Sequence, residues 1–280
     1  MFLSEPAQAL LSGRDSFLIT FIGTNIVTYP WVTAFLQVSC IFLQVIRSTF
    51  ALIIRQKHPS NRKSDVAEVN SNHIIKSAIF MKRILHLISS IQGETSYSIQ
   101  LGHAIVSRIQ QKYPGSTVEE LNLTEPDIPH LNPASLRAFF SPGDQLTDGE
   151  KEPLHFSDRL INQLFAADII VIGAPLINFT IHTTLKAWID HITRPGITFG
   201  YGENGPVGMV NGKKIYVAMS SGGVYSEGPG KENDFVAPYL KAFLGFLGMT
   251  DLTVFRAEGL KVPEIKAHAM KKALESIRID

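Results

Sequence analysis

Asn178 and Phe179 close the stretch Asp168–Thr180, DIIVIGAPLINFT. A carboxamide both donates and accepts hydrogen bonds, and an aromatic ring offers a flat face. Together they suit a planar ligand with polar edges. Two other stretches carry small polar residues. In Ser89-Ser90-Ile91-Gln92-Gly93-Glu94-Thr95-Ser96-Tyr97-Ser98, hydroxyls at Ser90, Ser96 and Ser98 precede a helical pattern, with no Lys or Arg among them. A helix start with free N–H groups attracts an anion, so this loop suits a phosphate held by neutral donors. Ser220-Ser221-Gly222-Gly223 pairs hydroxyls with glycines, which let backbone approach a flat ligand closely. Each stretch also has a plainer reading: a serine-capped helix, a turn-forming asparagine beside a core phenylalanine, and a flexible turn.

The elements that must position these residues are legible from pattern. Ile169-Ile170-Val171-Ile172 is uniformly apolar and β-branched, which predicts a central strand covered on both faces. Ile84–Ile88, Thr117–Leu123, Lys214–Met219 and Leu252–Ala257 read as further strands. Helical spacing is expected over 98–112, 150–166, 182–193, 235–247 and 263–277. The spans 124–149 and 195–212 read as long loops. Strands alternating with helices imply an α/β, flavodoxin-like doubly wound sheet of five parallel strands, order 2-1-3-4-5, with helices on both faces. That order brings the carboxyl ends of strands one, three and four together, where open sheets of this kind bind ligands.

Position therefore favours a single site. One loop can hold a phosphate, and two can hydrogen-bond a ring edge, which describes a flavin mononucleotide (FMN) pocket. The first loop is neither G-x-G-x-x-G nor G-x-x-x-x-G-K-[ST], which argues against a dinucleotide pyrophosphate or a nucleoside triphosphate. His130 and His155 lack ligand spacing to other donors, so no metal site is expected. His182 stands at a helix start and reads as structural.

Charge is nearly balanced, 26 Lys+Arg against 25 Asp+Glu, which gives no support for a nucleic-acid partner. One cysteine, Cys40, excludes an intrachain disulfide and fits a cytoplasmic setting. Residues 1–80 differ from the rest. No charged residue occurs from Ser16 to Ile46, and Arg47, Arg55, Lys57, Arg62 and Lys63 follow. The run is long enough to span a bilayer but is interrupted by polar residues. The expectation is an atypical extension outside the fold, with residues 81–280 as the functional domain; membrane contact arises only if 16–46 is a real anchor.

From Met81 to Asp280 the chain resembles the FMN-dependent NADH:quinone oxidoreductase and azoreductase family. The three loops carry the resemblance, with the pattern T-x-x-x-x-E-N-G-P-x-G-x-V over Thr198–Val210 and Phe243-Leu244-Gly245-Phe246. It implies flavin contacts at Ser90, Ser96, Tyr97 and Ser98 for the phosphate. For the ring it implies Leu176, Ile177, Asn178, Phe179, Ser220, Ser221, Gly222 and Gly223. It further implies NADH as donor, a quinone or azo acceptor, a homodimer, and Tyr201 and Phe246 lining the acceptor pocket. Two departures from the family's usual pattern stand out: Leu176-Ile177 stand where Met and an aromatic are commoner, and Ser221 where a basic residue is common. A flavodoxin-type electron carrier is the rival reading, although such carriers are markedly acidic and this chain is neutral.

Overall fold

The computed structural model describes residues 81–125, 128–141 and 145–280; the apolar run at 16–46 lies outside them. Five parallel strands form the central sheet: β1 (Arg83–Ile88), β2 (Thr117–Asn122), β3 (Ile169–Pro175), β6 (Lys214–Ser220) and β7 (Asp251–Ala257). Their spatial order is β2-β1-β3-β6-β7, the expected 2-1-3-4-5 once only the strands of this sheet are counted. The remaining elements are helices α1 (Tyr97–Lys112), α2 (Pro133–Phe140), α3 (Asp148–Ala166), α4 (Thr183–Ile192), α5 (Val236–Phe246) and α6 (Lys266–Ser276), and an antiparallel pair, β4 (Phe199–Gly202) and β5 (Gly205–Gly208).

Burial follows the strand period of two. Leu85, Leu87, Ile170, Ile172, Ile215 and Val217 face a core closed by α3, α4 and α5. Ile84, Ile169, Val171, Tyr216 and Ala218 face a second core closed by α1 and α6. Of the five, the edge strand β2 is largely exposed, while β7 at the other edge is mostly half-buried. Lys213 donates from Nζ to the carbonyls of Phe165 and Ala167, placing a cation at the end of α3 where the helix dipole favours one. Among the described residues no helix is long and apolar enough to cross a membrane.

Two spans expected to be loops contain structure. Within 124–149 lies α2, whose start is set by Asn132, which accepts from Ser135 N at 2.9 Å, with Pro133 at the first helical position. Within 195–212 lies the β4–β5 hairpin, four residues a side and rich in glycine, too short and too irregular in pattern to register as strands. The hairpin docks on the end of α5 through a glycine contact. A Cβ on Gly208 would sit 2.1 Å from the backbone nitrogen of Gly248.

Gly208→Ala forces apart two backbones that cannot yield, so it should cost about 3 kcal/mol, seen as a fall of roughly 6–12 °C in melting temperature. An unchanged melting temperature would show that the hairpin is not docked as described. His191 is 2% exposed, and its Nε2 donates to Pro129 O at 2.8 Å. Burial lowers its pKa, against the raising effects of that bond and of Asp190. The unfolded imidazole therefore takes up a proton first, and stability contributed by the neutral ring is lost as pH falls below about 6.5. Urea midpoints should drop between pH 7.5 and 5.5, and drop less in His191→Gln, which keeps a donor but does not titrate.

Candidate functional site

Three loops leave the carboxyl ends of β1, β3 and β6 and are tied to one another. Ser89 Oγ donates to Gly173 O at 2.6 Å, linking the first loop to β3. Leu176 N donates to Ser220 O at 2.8 Å, linking the second to the third. The third is anchored beneath by β7 and the segment after it: Ser221 N donates to Ala257 O, Lys261 N to Gly222 O and Gly259 N to Gly223 O. The expected residues of all three stretches therefore meet at one end of the sheet.

The first loop enters α1 through Ser96, and the helix has no side-chain cap. Its first N–H groups lack intrahelical partners as a matter of geometry. Ser96 Oγ and Ser98 Oγ lie 3.0 Å apart, both buried, and Ser90 Oγ accepts from Gln92 N at 3.3 Å. Buried hydroxyls clustered at an uncapped helix start form a neutral cradle for an anion. These features fit the phosphate of FMN.

In the second loop, Ile177 and Thr180 exchange two backbone hydrogen bonds, 2.9 and 3.0 Å, around Asn178 and Phe179. Both central residues have positive φ, 48° and 69°. That is the signature of a type I′ turn, which prefers Asn-Gly. Asparagine tolerates the left-handed region; a bulky phenylalanine there is strained. The strain is held by the surroundings, since Phe179 O accepts from Phe235 N at 3.0 Å and its ring lies edge-on to Tyr225 at 6.2 Å. Phe179 nevertheless remains 45% exposed, so its ring is presented rather than packed away. Strain kept at such a place is a mark of a functional turn. Leu176 packs against the core. In the third loop, Ser221 Oγ donates to Gly223 O at 2.8 Å, and the N–H groups of Gly222 and Gly223 take no partner among the described residues.

Sequence reasoning missed the polar network behind these loops. Asp234 accepts from Val236 N and Ala237 N, capping α5, and pairs with Arg256 at 2.6 Å. Arg256 also reaches Met219 Sδ, while Glu258 accepts from Tyr225 N at 2.9 Å. The cap at Asp234 was findable from sequence as an aspartate just before a helix; the partnership with Arg256 was not, since β7 brings it from 22 residues away. Also missed was a grouping of His86, His103 and Glu120. His182, by contrast, caps α4 by accepting from Thr184 N. Tyr201 and Phe246 meet the same ring, Phe199, at 5.8 and 4.9 Å. Among the described residues no hydrogen bond or ring contact joins that pair to the three loops.

A family model described as a flavodoxin-like fold matches residues 82–279. The chain is 46% identical over 198 residues to an FMN-dependent NADH:quinone oxidoreductase of Paraburkholderia phymatum, covering 70% of this chain and 98% of that protein. It is 42% identical over 194 residues to one of Herminiimonas arsenicoxydans, covering 69% and 94%. This chain belongs to the FMN-dependent NADH:quinone oxidoreductase family. Among solved structures, an azoreductase from Bacillus anthracis superposes with a TM-score of 0.65 at 32% identity, covering 70% of this chain and 96% of that one. An FMN-dependent NADH-azoreductase from the same species, solved in complex with FMN, gives 0.62 at 29% identity, covering 70% and 97%. The family membership agrees with the FMN reading of the three loops, while the I′ turn and the Asp234–Arg256 pair are features of this structure itself.

The turn generates a direct test. Phe179→Gly and Phe179→Ala both remove the ring, but only glycine occupies the left-handed region without strain. The glycine variant should be more stable than the alanine variant by about 1 kcal/mol in urea unfolding. Equal stability would mean that the turn is not held at positive φ.

Proposed function

We propose that this chain is an FMN-dependent NADH:quinone oxidoreductase that also cleaves aromatic azo compounds reductively, acting as a homodimer through a ping-pong sequence. The observation that carries the reading is the convergence of the uncapped, hydroxyl-lined start of α1 with the strained Asn178-Phe179 turn and the unpartnered N–H groups of Gly222 and Gly223. The names borne by the relatives support it. Residues 1–80 are proposed to lie outside this catalytic domain, in a cytoplasmic protein.

FMN, when bound, supplies the capacity to accept a hydride from NADH and pass two electrons to an organic acceptor. The chain's own residues bind and orient. Ser90, Ser96, Tyr97 and Ser98 would hold the phosphate with neutral donors and the positive end of the α1 dipole. Leu176, Ile177, Asn178, Phe179, Ser220, Ser221, Gly222 and Gly223 would hold the ring system. The N–H groups of Gly222 and Gly223 would offer fixed donors to negative charge on the ring, with no reorganisation required. No acid–base side chain is required, and His182 is already committed to capping α4. Nicotinamide and acceptor are both flat and would share one opening onto these loops, so NAD⁺ would leave before the acceptor enters. Exposed apolar side chains on the hairpin, Tyr201 at 80%, Val207 at 54% and Met209 at 44%, supply the kind of surface a second subunit covers.

Three outcomes test the reading. Ser98→Ala should weaken FMN binding by about tenfold or more, the worth of one hydrogen bond to a charged group; unaltered affinity would remove Ser98 from the cradle. Initial rates with varied NADH and quinone should give parallel double-reciprocal lines, and an azo dye should lose colour with NADH consumption. Intersecting lines would contradict the shared face.

A further inference from the structure

We propose that His86, His103 and Glu120 form a binding site for a divalent transition-metal ion of the zinc class, separate from the flavin loops. The three donors come from three elements, β1, α1 and β2, and lie within 4.8 Å of one another. His86 Nδ1 is 3.0 Å and His103 Nε2 2.9 Å from the same carboxylate oxygen of Glu120. Two imidazoles and one carboxylate are a donor set of borderline softness, which suits zinc, cobalt, nickel or copper rather than magnesium or calcium. Three protein ligands leave one position of a tetrahedron to water.

Ligand distances of about 2.0–2.1 Å in a tetrahedron put neighbouring donors about 3.3 Å apart. The two histidine–glutamate pairs must therefore open by roughly 0.4 Å, while the two histidine nitrogens, within 4.8 Å of each other, must settle at the same spacing. Glu120 and His103 have half-exposed side chains and can make that adjustment. His86 is fixed: it is fully buried, and its ring lies against Gly102, where a Cβ would stand 2.5 Å from Nε2. Glycine at 102 thus admits the imidazole that anchors the site.

In the metal-free form both rings donate to the carboxylate, from His86 Nδ1 and His103 Nε2. Metal entry requires each ring to carry its proton on the other nitrogen, with no net proton release from the imidazoles. For His103 that nitrogen is on an exposed ring. For His86 it is Nε2, buried without a partner among the described residues. Metal-bound imidazoles usually donate their second N–H, and losing that partner weakens binding by about 10–100-fold. The site is therefore weaker than a structural zinc centre and loads only when metal is supplied. Occupancy would tie together β1 and α1, the two elements from which the first flavin loop springs, and would stabilise the fold by mass action.

The test uses the full-length chain without a histidine tag. Calorimetric titration with Zn²⁺ should give binding that His103→Ala and Glu120→Gln each weaken by more than about tenfold. Zn²⁺ should also raise the melting temperature of the wild type, and not of those variants. Co²⁺ supplies a readout that a purely structural histidine would not give: its visible absorption should strengthen on binding to the wild type, as a four-coordinate site requires, and should not in either variant. No binding, or binding and a cobalt spectrum untouched by the substitutions, would overturn the proposal.

Discussion

Strand β3 is hydrogen-bonded along both edges, to β1 and to β6, and apolar on both faces, so nothing polar can leave it except at its ends. At its carboxyl end the chain must turn away from two neighbours that are turning at the same level. The outcome is a crowded rim in which Ser89 reaches Gly173 and Leu176 reaches Ser220. The site follows from this constraint. Three loops made separately by three crossovers are held in place by one serine hydroxyl and a few backbone bonds, over a well-packed sheet.

What those loops present is largely backbone. An uncapped helix start, two glycine N–H groups without partners among the described residues and a turn forced into the left-handed region offer donors without any charged side chain. Charge is kept one layer back, where Asp234 caps α5 and is paired with Arg256. That pair fixes the helix whose preceding residue, Phe235, holds the carbonyl of Phe179. A strained phenylalanine is thereby braced by a salt bridge one residue removed from it, in keeping with the rule that pre-organisation depends on the residues supporting a site.

The central sheet was readable because its strands are buried on both faces and therefore nearly pure in composition, Ile169–Ile172 above all. The three loops were readable because the strand order dictates where they gather. The β4–β5 hairpin escaped because Gly200, Gly202, Gly205 and Gly208 leave no alternating pattern to detect. Helix α2 was hidden in a proline-rich connection, although Asn132-Pro133 marked its start. The I′ turn was illegible for a chemical reason: its usual signature is Asn-Gly, and phenylalanine at the second position gives no hint of a positive φ. Contacts such as Asp234 with Arg256, or His86 with Glu120 across 34 residues, depend on strand register and cannot be read from spacing.

The central claim is that this rim holds FMN where NADH can reduce it. Its most direct test is the visible absorption of the full-length chain reconstituted with FMN, recorded before and after anaerobic addition of NADH. Retained flavin whose absorption bleaches with NADH is the predicted result. Flavin that is not retained would contradict the cradle formed by Ser90, Ser96 and Ser98, and flavin that is retained but not bleached would contradict the oxidoreductase.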